Sequence, residues 1–300
     1  MYESNEFPLV SVVICTFNRK RLLKDCLNSV LKMDYPKSLY EIIVVDGGSR
    51  DGTEELCKRF PRIKFIIEKR LGLARARNKG AEVASGSIIA YTDDDCIVDK
   101  QWLMQLVCGF KSFKSVVGVG GVVCPLISEI IPDKILVKPA LGLVDDGEKI
   151  KLTPCLIGAN FAFRKEIFET RRFDVNLGRS NATTRHKLLL SGEDVDFCQT
   201  LIAAGHQLLY TPYAKVYHQI SINRVRVTYI LKHAIQGGIS QARILVKKRT
   251  SRIWAFRYAV GGVVQAIFPI FSDRSFTSCY ELVTSLSTLF VCLTGLDTVL

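Results

Sequence analysis

Residues 90–100 read AYTDDDCIVDK, with Asp93, Asp94 and Asp95 closing the apolar run SIIAYT. Three carboxylates stacked where a buried strand ends repel one another unless something positive sits among them. A hard divalent cation is one answer. Mg²⁺ and Mn²⁺ accept one or two carboxylates and keep other positions for substrate phosphates, and an Asp-x-Asp pair at a strand end suits that use. A triplet met alone reads equally as a solvated acidic turn, so its company decides. A second acidic pair, Glu193-Asp194, opens the segment GEDVDFCQTLIAAG; by itself it would simply favour a helix N-terminus electrostatically.

Hydrophobic periodicity gives the elements that must position these residues. LVSVVIC (9–15), EIIVV (41–45), KFII (64–67) and SIIAYT (87–92) are short β-branched runs that read as buried strands. Between them, Leu22, Leu23, Cys26, Leu27, Val30 and Leu31 mark one helical face. Asp51 or Thr53 is placed to cap a second short helix, and the Ala-rich 72–84 forms a third. Strands alternating with helices predict a parallel sheet with helices on both faces. Ligands in such sheets bind beyond the carboxyl ends of the strands, where Thr16-Phe17-Asn18-Arg19, Asp46-Gly47-Gly48-Ser49 and the aspartate triplet all fall. Trp102 starts a helix as a packing residue. Further on, 116–124 reads as a strand, 125–153 as an irregular connection, and 158–169 as a strand turning into a helix. The segment 191–205 is a helix with Ser191 as N-cap, Asp194 in a capping-box position and Gly205 as its stop. Residues 207–218 then supply two short strands.

Six stretches together, SVVICTFNR (11–19), VVDGGSRDGT (44–53), ARNKG (76–80), DDD (93–95), GANFAFRKEIF (158–168) and GEDVDFC (192–198), resemble the family 2 glycosyltransferases in order and approximate spacing. The resemblance covers about residues 7–220. It implies an α/β GT-A fold with a mostly parallel central sheet over 1–220, followed at 221–300 by a basic and apolar helical extension. It also implies transfer of a sugar from a UDP-, GDP- or dTDP-sugar to a glycan or lipid-linked acceptor in cell-envelope polysaccharide biosynthesis. By that resemblance Thr16, Asn18, Asp46, Arg77, Asn78, Asp93, Asp94 and Asn160 hold the donor, with Asp46 at the base and Arg77 near the diphosphate. Asp93, Asp95 and His218 bind Mg²⁺ or Mn²⁺. Asp194 is the general base of an inverting transfer, which needs one carboxylate on the acceptor side, and Glu193 orients the acceptor. The 179–190 loop is an acceptor lid. No QxxRW follows the GED segment, which disfavours a processive polymerase. A sugar-phosphate nucleotidyltransferase is the nearest alternative; it would carry a GxGTR-type loop where this chain reads TFNRK.

Nearly half the chain is apolar, which excludes a disordered protein. The cysteines lie scattered in apolar surroundings with no CxxC pair, which suits reduced thiols in the cytosol. The N-terminus MYESNEFPLVS is polar and acidic, unlike a secretion signal. The formal charge of +12 is concentrated late: no acid lies between Asp196 and Asp273, an interval that holds Arg224, Arg226, Lys232, Arg243, Lys247, Lys248, Arg249, Arg252 and Arg257. Nucleic acid would explain a basic tail but leaves the six stretches unexplained, so no nucleic-acid partner is expected. The tail continues into two apolar runs, 254–271 and 276–296. They read as two spans, a hairpin dipping into the bilayer, helices lying on it, or core helices. The basic residues before them suit anionic head groups and predict attachment at the cytoplasmic face of the cell membrane.

Overall fold

The computed structural model describes residues 7–127, 138–177, 192–247 and 276–294. They fall into two compact units. The first holds the sheet and covers residues up to 126 with 143–176 and 193–219; the second takes in 220 onwards with 138–142. The lid segment 179–190, the N-cap Ser191 and the apolar run 254–271 lie outside the described residues.

In the first unit β1 (Val10–Thr16), β2 (Tyr40–Asp46), β3 (Ile63–Ile67) and β4 (Ile88–Asp93) are mutually parallel in the order β3-β2-β1-β4. β1, β2 and β4 are covered on both faces, so their successive side chains enter different cores, while β3 is part-exposed at the sheet edge. Val12, Ile14, Ile42 and Val44 pack with α1 (Lys20–Val30) and α4 (Trp102–Ser112). Val13, Ile43 and Val45 pack with α3 (Leu73–Val83) and an aromatic group that includes Phe161, Phe163 and Phe197. Parallel register brings the polar strand ends to one edge, with Thr16 opposite Asp46 and Cys15 opposite Asp93.

Beyond β4 the sheet is mixed. β8 (Asn160–Arg164) runs antiparallel to β4 and places Asn160 opposite Thr92 at that same edge. β6 (Val116–Leu126) and β9 (Gln207–Gln219) follow, parallel to each other, and β5 (Cys96–Val98) and β7 (Lys151–Leu152) both pair antiparallel with β9. The two short strands expected at 207–218 are one strand of 13 residues. Its register against β6 jumps from Thr211 to Lys215. Pro212 has no N–H for the ladder, so the break takes the form of a bulge within a continuous strand. Asp51 serves two helix starts: it accepts from Thr53 Oγ1 at 2.6 Å at the head of the short helix α2 (Thr53–Lys58) and from the backbone N–H of Lys20 at 2.8 Å at the head of α1. α7 (Glu193–Ala203) stops as expected before Gly205, at φ +84°. The described cysteines are free thiols.

In the second unit α8 (Val227–Lys247) packs on α9 (Phe276–Thr294) through small residues. Thr288 Oγ1 donates to the carbonyl of Gly238 at 3.1 Å, and His233 Nδ1 lies 2.9 Å from Tyr280 Oη. Among the described residues no helix is long and apolar enough to cross a membrane, α9 included.

One polar strut ties β8 to the rest of the sheet. Asn160, 1% exposed, accepts from Trp102 Nε1 at 2.8 Å and donates both amide hydrogens, to the carbonyls of Val122 and Ala214 at 2.8 Å each. Both amide hydrogens are thus used within the fold, whereas the resemblance implied a contact with the donor. Asn160→Ala leaves three buried polar groups unsatisfied and should destabilise the fold by about 3 kcal/mol in urea unfolding. A stability within about 0.5 kcal/mol of wild type, with donor affinity lost instead, would restore the ligand role.

Candidate active site

The triplet sits where β4 ends, and its members face different ways. Asp93 is one-third exposed, while the Asp94 and Asp95 side chains are 4% and 3% exposed. Thr16 Oγ1 donates to Asp94 Oδ2 at 2.7 Å, and Arg19 Nη1 lies 2.9 Å from Asp94 Oδ1 and 3.0 Å from Asp95 Oδ2. A second arginine, Arg77, reaches Asp93 Oδ1 at 3.3 Å through Nη2. The positive charge that the triplet requires therefore comes partly from two arginines of the chain itself. Arg19 was unassigned in the sequence, although it closes the TFNR stretch.

Burial pushes the Asp94 carboxyl up to about 6; Arg19 opposes this, and the neighbouring Asp95 adds to it. β5 sets the geometry on the far side of the triplet. Cys96 pairs with His218, and the N–H of Gln219 donates to the carbonyl of Asp95 at 2.8 Å. His218 Nε2 consequently lies 3.3 Å from Asp95 Oδ1, with both side chains almost wholly buried. A carboxylate oxygen beside an imidazole nitrogen is a donor set that divalent ions such as Mn²⁺ accept. Asp93 does not join it. Among the described residues no three His, Cys, Asp or Glu side chains gather to hold a metal, and Asp93 Oδ1 instead lies beside Arg77.

Arg77 itself is 2% exposed. Its Nη1 lies 2.6 Å from Glu193 Oε1, and its guanidinium stacks over Phe161 and Phe173 at 5.3 and 5.8 Å from the ring centroids. Burial opposes its charge, but Glu193 and Asp93 more than offset that and hold it charged. The Glu193 carboxyl is pushed up by burial, with Arg77 opposing. Gly158 permits the arrangement, since a Cβ there would stand 2.7 Å from Arg77 Cζ. In this arrangement the buried Arg77 and Glu193 hold each other and join the end of β4 to the start of α7, whereas the resemblance implied a place near the diphosphate for Arg77 and at the acceptor for Glu193.

Asp194, half-buried at the start of α7, accepts at Oδ2 from the N–H of Gly158 at 2.9 Å and at Oδ1 from the N–H of Val195 at 2.8 Å. Here it joins α7 to the 155–158 segment; the capping box expected with Ser191 falls on a residue outside those described. Asn78 pairs both ways with the backbone of Phe173, donating to its carbonyl at 2.8 Å and accepting from its N–H at 2.9 Å. It too holds the frame, where the resemblance implied a donor contact. Asp46, 2% exposed, accepts from the N–H groups of Gly48 and Ser49 at 3.1 and 2.8 Å. Asn18, at φ +53°, accepts from the N–H of Arg50 at 2.8 Å, while its own N–H donates to Ser49 Oγ at 2.7 Å. Asn tolerates this left-handed conformation better than most residues. Asp46 and Asn18 thereby lock the two loops after β1 and β2 together.

The sheet and its polar carboxyl edge are those of the GT-A glycosyltransferases. Residues 11–172 match the family model described as glycosyl transferase family 2, and the chain belongs to that family. It is a glycosyltransferase, which displaces the nucleotidyltransferase reading. Over 105 residues it is 42% identical to glycosyltransferase AglE of Haloferax volcanii, a match covering 33% of this chain and 34% of that protein. It is 25% identical over 244 residues to the glucosyl-dolichyl phosphate glucuronosyltransferase of the same organism, covering 77% of this chain and 76% of that one. The mannosyltransferase PcManGT from Pyrobaculum calidifontis, solved with GDP-Man and Mn²⁺, shares the fold at a TM-score of 0.62 and 18% identity, with 94% of this chain and 87% of that chain covered.

Asp94 gives the site a pH signature. Its folded-state value of about 6 stands above the ordinary 3.8, so the folded protein holds this proton more tightly than the unfolded chain. The associated stability is present below pH ~4 and is lost as pH rises through about 6. It amounts to roughly 3 kcal/mol at about 1.4 kcal/mol per unit. Urea unfolding in chelator should show Asp94→Asn flattening the profile over that range. Parallel wild-type and variant profiles would contradict the assignment.

Proposed function

We propose that this enzyme moves a sugar from a nucleotide-sugar donor to a hydroxyl of a lipid-linked glycan, with inversion at the anomeric carbon. The observation that carries the reading is Asp194. It is a part-exposed carboxylate at a helix start, oriented by the Gly158 N–H and linked through Glu193 and Arg77 to Asp93 at the end of β4. Such a group takes the proton from the acceptor hydroxyl as it attacks. One carboxylate suffices, unlike the pair that a glycosidase needs.

The donor side is read from the same edge. Asp95 and His218 would hold Mg²⁺ or Mn²⁺, which when bound supplies charge for the leaving diphosphate. Arg19, the more exposed of the two arginines that face the triplet, adds fixed positive charge beside it. Thr16 steadies Asp94, and Asn18 and Asp46 shape the loops against which the nucleotide lies. A lipid-linked acceptor is supported by the dolichyl phosphate in the name of a relative that spans most of this chain. Chemistry on such an acceptor is done at a membrane surface, on the cytoplasmic side where nucleotide sugars are made.

Asp194→Asn should bind the donor within about twofold of wild type in calorimetry and lose turnover by roughly 10²–10⁴-fold. NMR of the product should show the anomeric configuration opposite to that of the donor. Retention of configuration, or a variant within tenfold (~1.4 kcal/mol) of wild-type turnover, would sink the mechanism.

A further inference from the structure

The start of α8 carries an apolar stripe that stays about half exposed among the described residues. Val227, Leu231 and Ile235 are 49%, 41% and 45% exposed. Their four-residue spacing sets them one above another on a single helix face. The other face of the same turns is buried, with Ile230 and Ala234 packed beside Tyr280 and Ala140. Ile222, in the turn before α8, is 40% exposed as well. Arg226 and Lys232, both exposed, flank the stripe, and no Asp or Glu occurs between residues 196 and 273.

We infer that this face docks on an anionic lipid surface, with Val227, Leu231 and Ile235 entering the head-group boundary and Arg226 and Lys232 meeting lipid phosphates. An apolar stripe bordered by basic residues is the pattern of a helix lying in a bilayer interface. A second copy of the chain fits less well. Two such faces would bring their basic residues together with no nearby acid to pair them, and three or four side chains fall short of the roughly 800 Å² per partner of a stable interface. An acidic protein surface would match the charges but offers nothing for the stripe. The inference rests on the lipid-linked acceptor reading and adds the surface by which the enzyme reaches it.

The test uses the full chain and co-sedimentation with vesicles of phosphatidylcholine, with and without phosphatidylglycerol. Wild type should partition to the anionic vesicles, less so as salt shortens the screening length. Leu231→Gln/Ile235→Gln and Arg226→Glu/Lys232→Glu should each weaken partitioning more than about tenfold, since each basic residue near such a surface contributes roughly fivefold. Nucleoside diphosphate release from donor and a water-soluble acceptor should be unchanged in both. Absence of that release in wild type would count against the transferase mechanism alone. Vesicle binding equal in wild type and both variants, or no binding by wild type, would overturn the docking face. So would a change in oligomeric mass in the Leu231→Gln/Ile235→Gln variant with lipid binding intact, which would assign the stripe to a second copy.

Discussion

A guanidinium with almost no access to water organises the carboxyl edge of the sheet. Arg77 is held on one side by Glu193 at 2.6 Å and on the other by Asp93 at 3.3 Å, with Phe161 and Phe173 beneath it. A buried charge is tolerable only if it is paired and hydrogen-bonded. The requirement runs both ways, because Glu193 is equally buried and is followed in the chain by Asp194. Arg77 therefore ties the end of β4 to the start of α7. The two part-exposed carboxylates, Asp93 and Asp194, are fixed relative to each other by the buried pair Arg77 and Glu193.

The other constraints serve that pairing. Gly158 leaves room for the guanidinium and gives its N–H to Asp194, so one residue sets the position of both. Asn78 grips the backbone of Phe173, whose ring lies under Arg77. Asn160 braces β8, the strand that presents Phe161. On the opposite side of the triplet, Arg19 and Thr16 take up Asp94, while β9, paired with β5, delivers His218 to Asp95. A site assembled this way has its charges already arranged before a ligand arrives, which lowers the reorganisation that catalysis requires.

The parallel half of the fold was legible because buried strands in a two-sided sheet are unbroken apolar runs, and the polar residues after β1, β2 and β4 then fall at one edge by topology alone. Other features left little local signal. β5 is three residues long, and the break in β9 depends on a proline whose neighbours are good strand formers. The partners of Arg77 and Asn78 lie 116 and 95 residues away, beyond what local pattern can reach. Arg77, Asn78, Glu193 and Asn160 stand within or beside the family's stretches. Such stretches mark residues that build a site together with residues that touch its ligand. How deeply each is buried is visible only in the fold.

The central claim is that Arg77 and Glu193 act as one buried unit holding the edge together. A double-mutant cycle in urea unfolding addresses it directly. Arg77→Met leaves Glu193 buried without its partner and should cost about 3–5 kcal/mol, whereas Arg77→Met/Glu193→Met replaces the pair with apolar volume and should recover most of that loss. Additive single-mutant effects, or an Arg77→Met variant within about 1 kcal/mol of wild type, would contradict it.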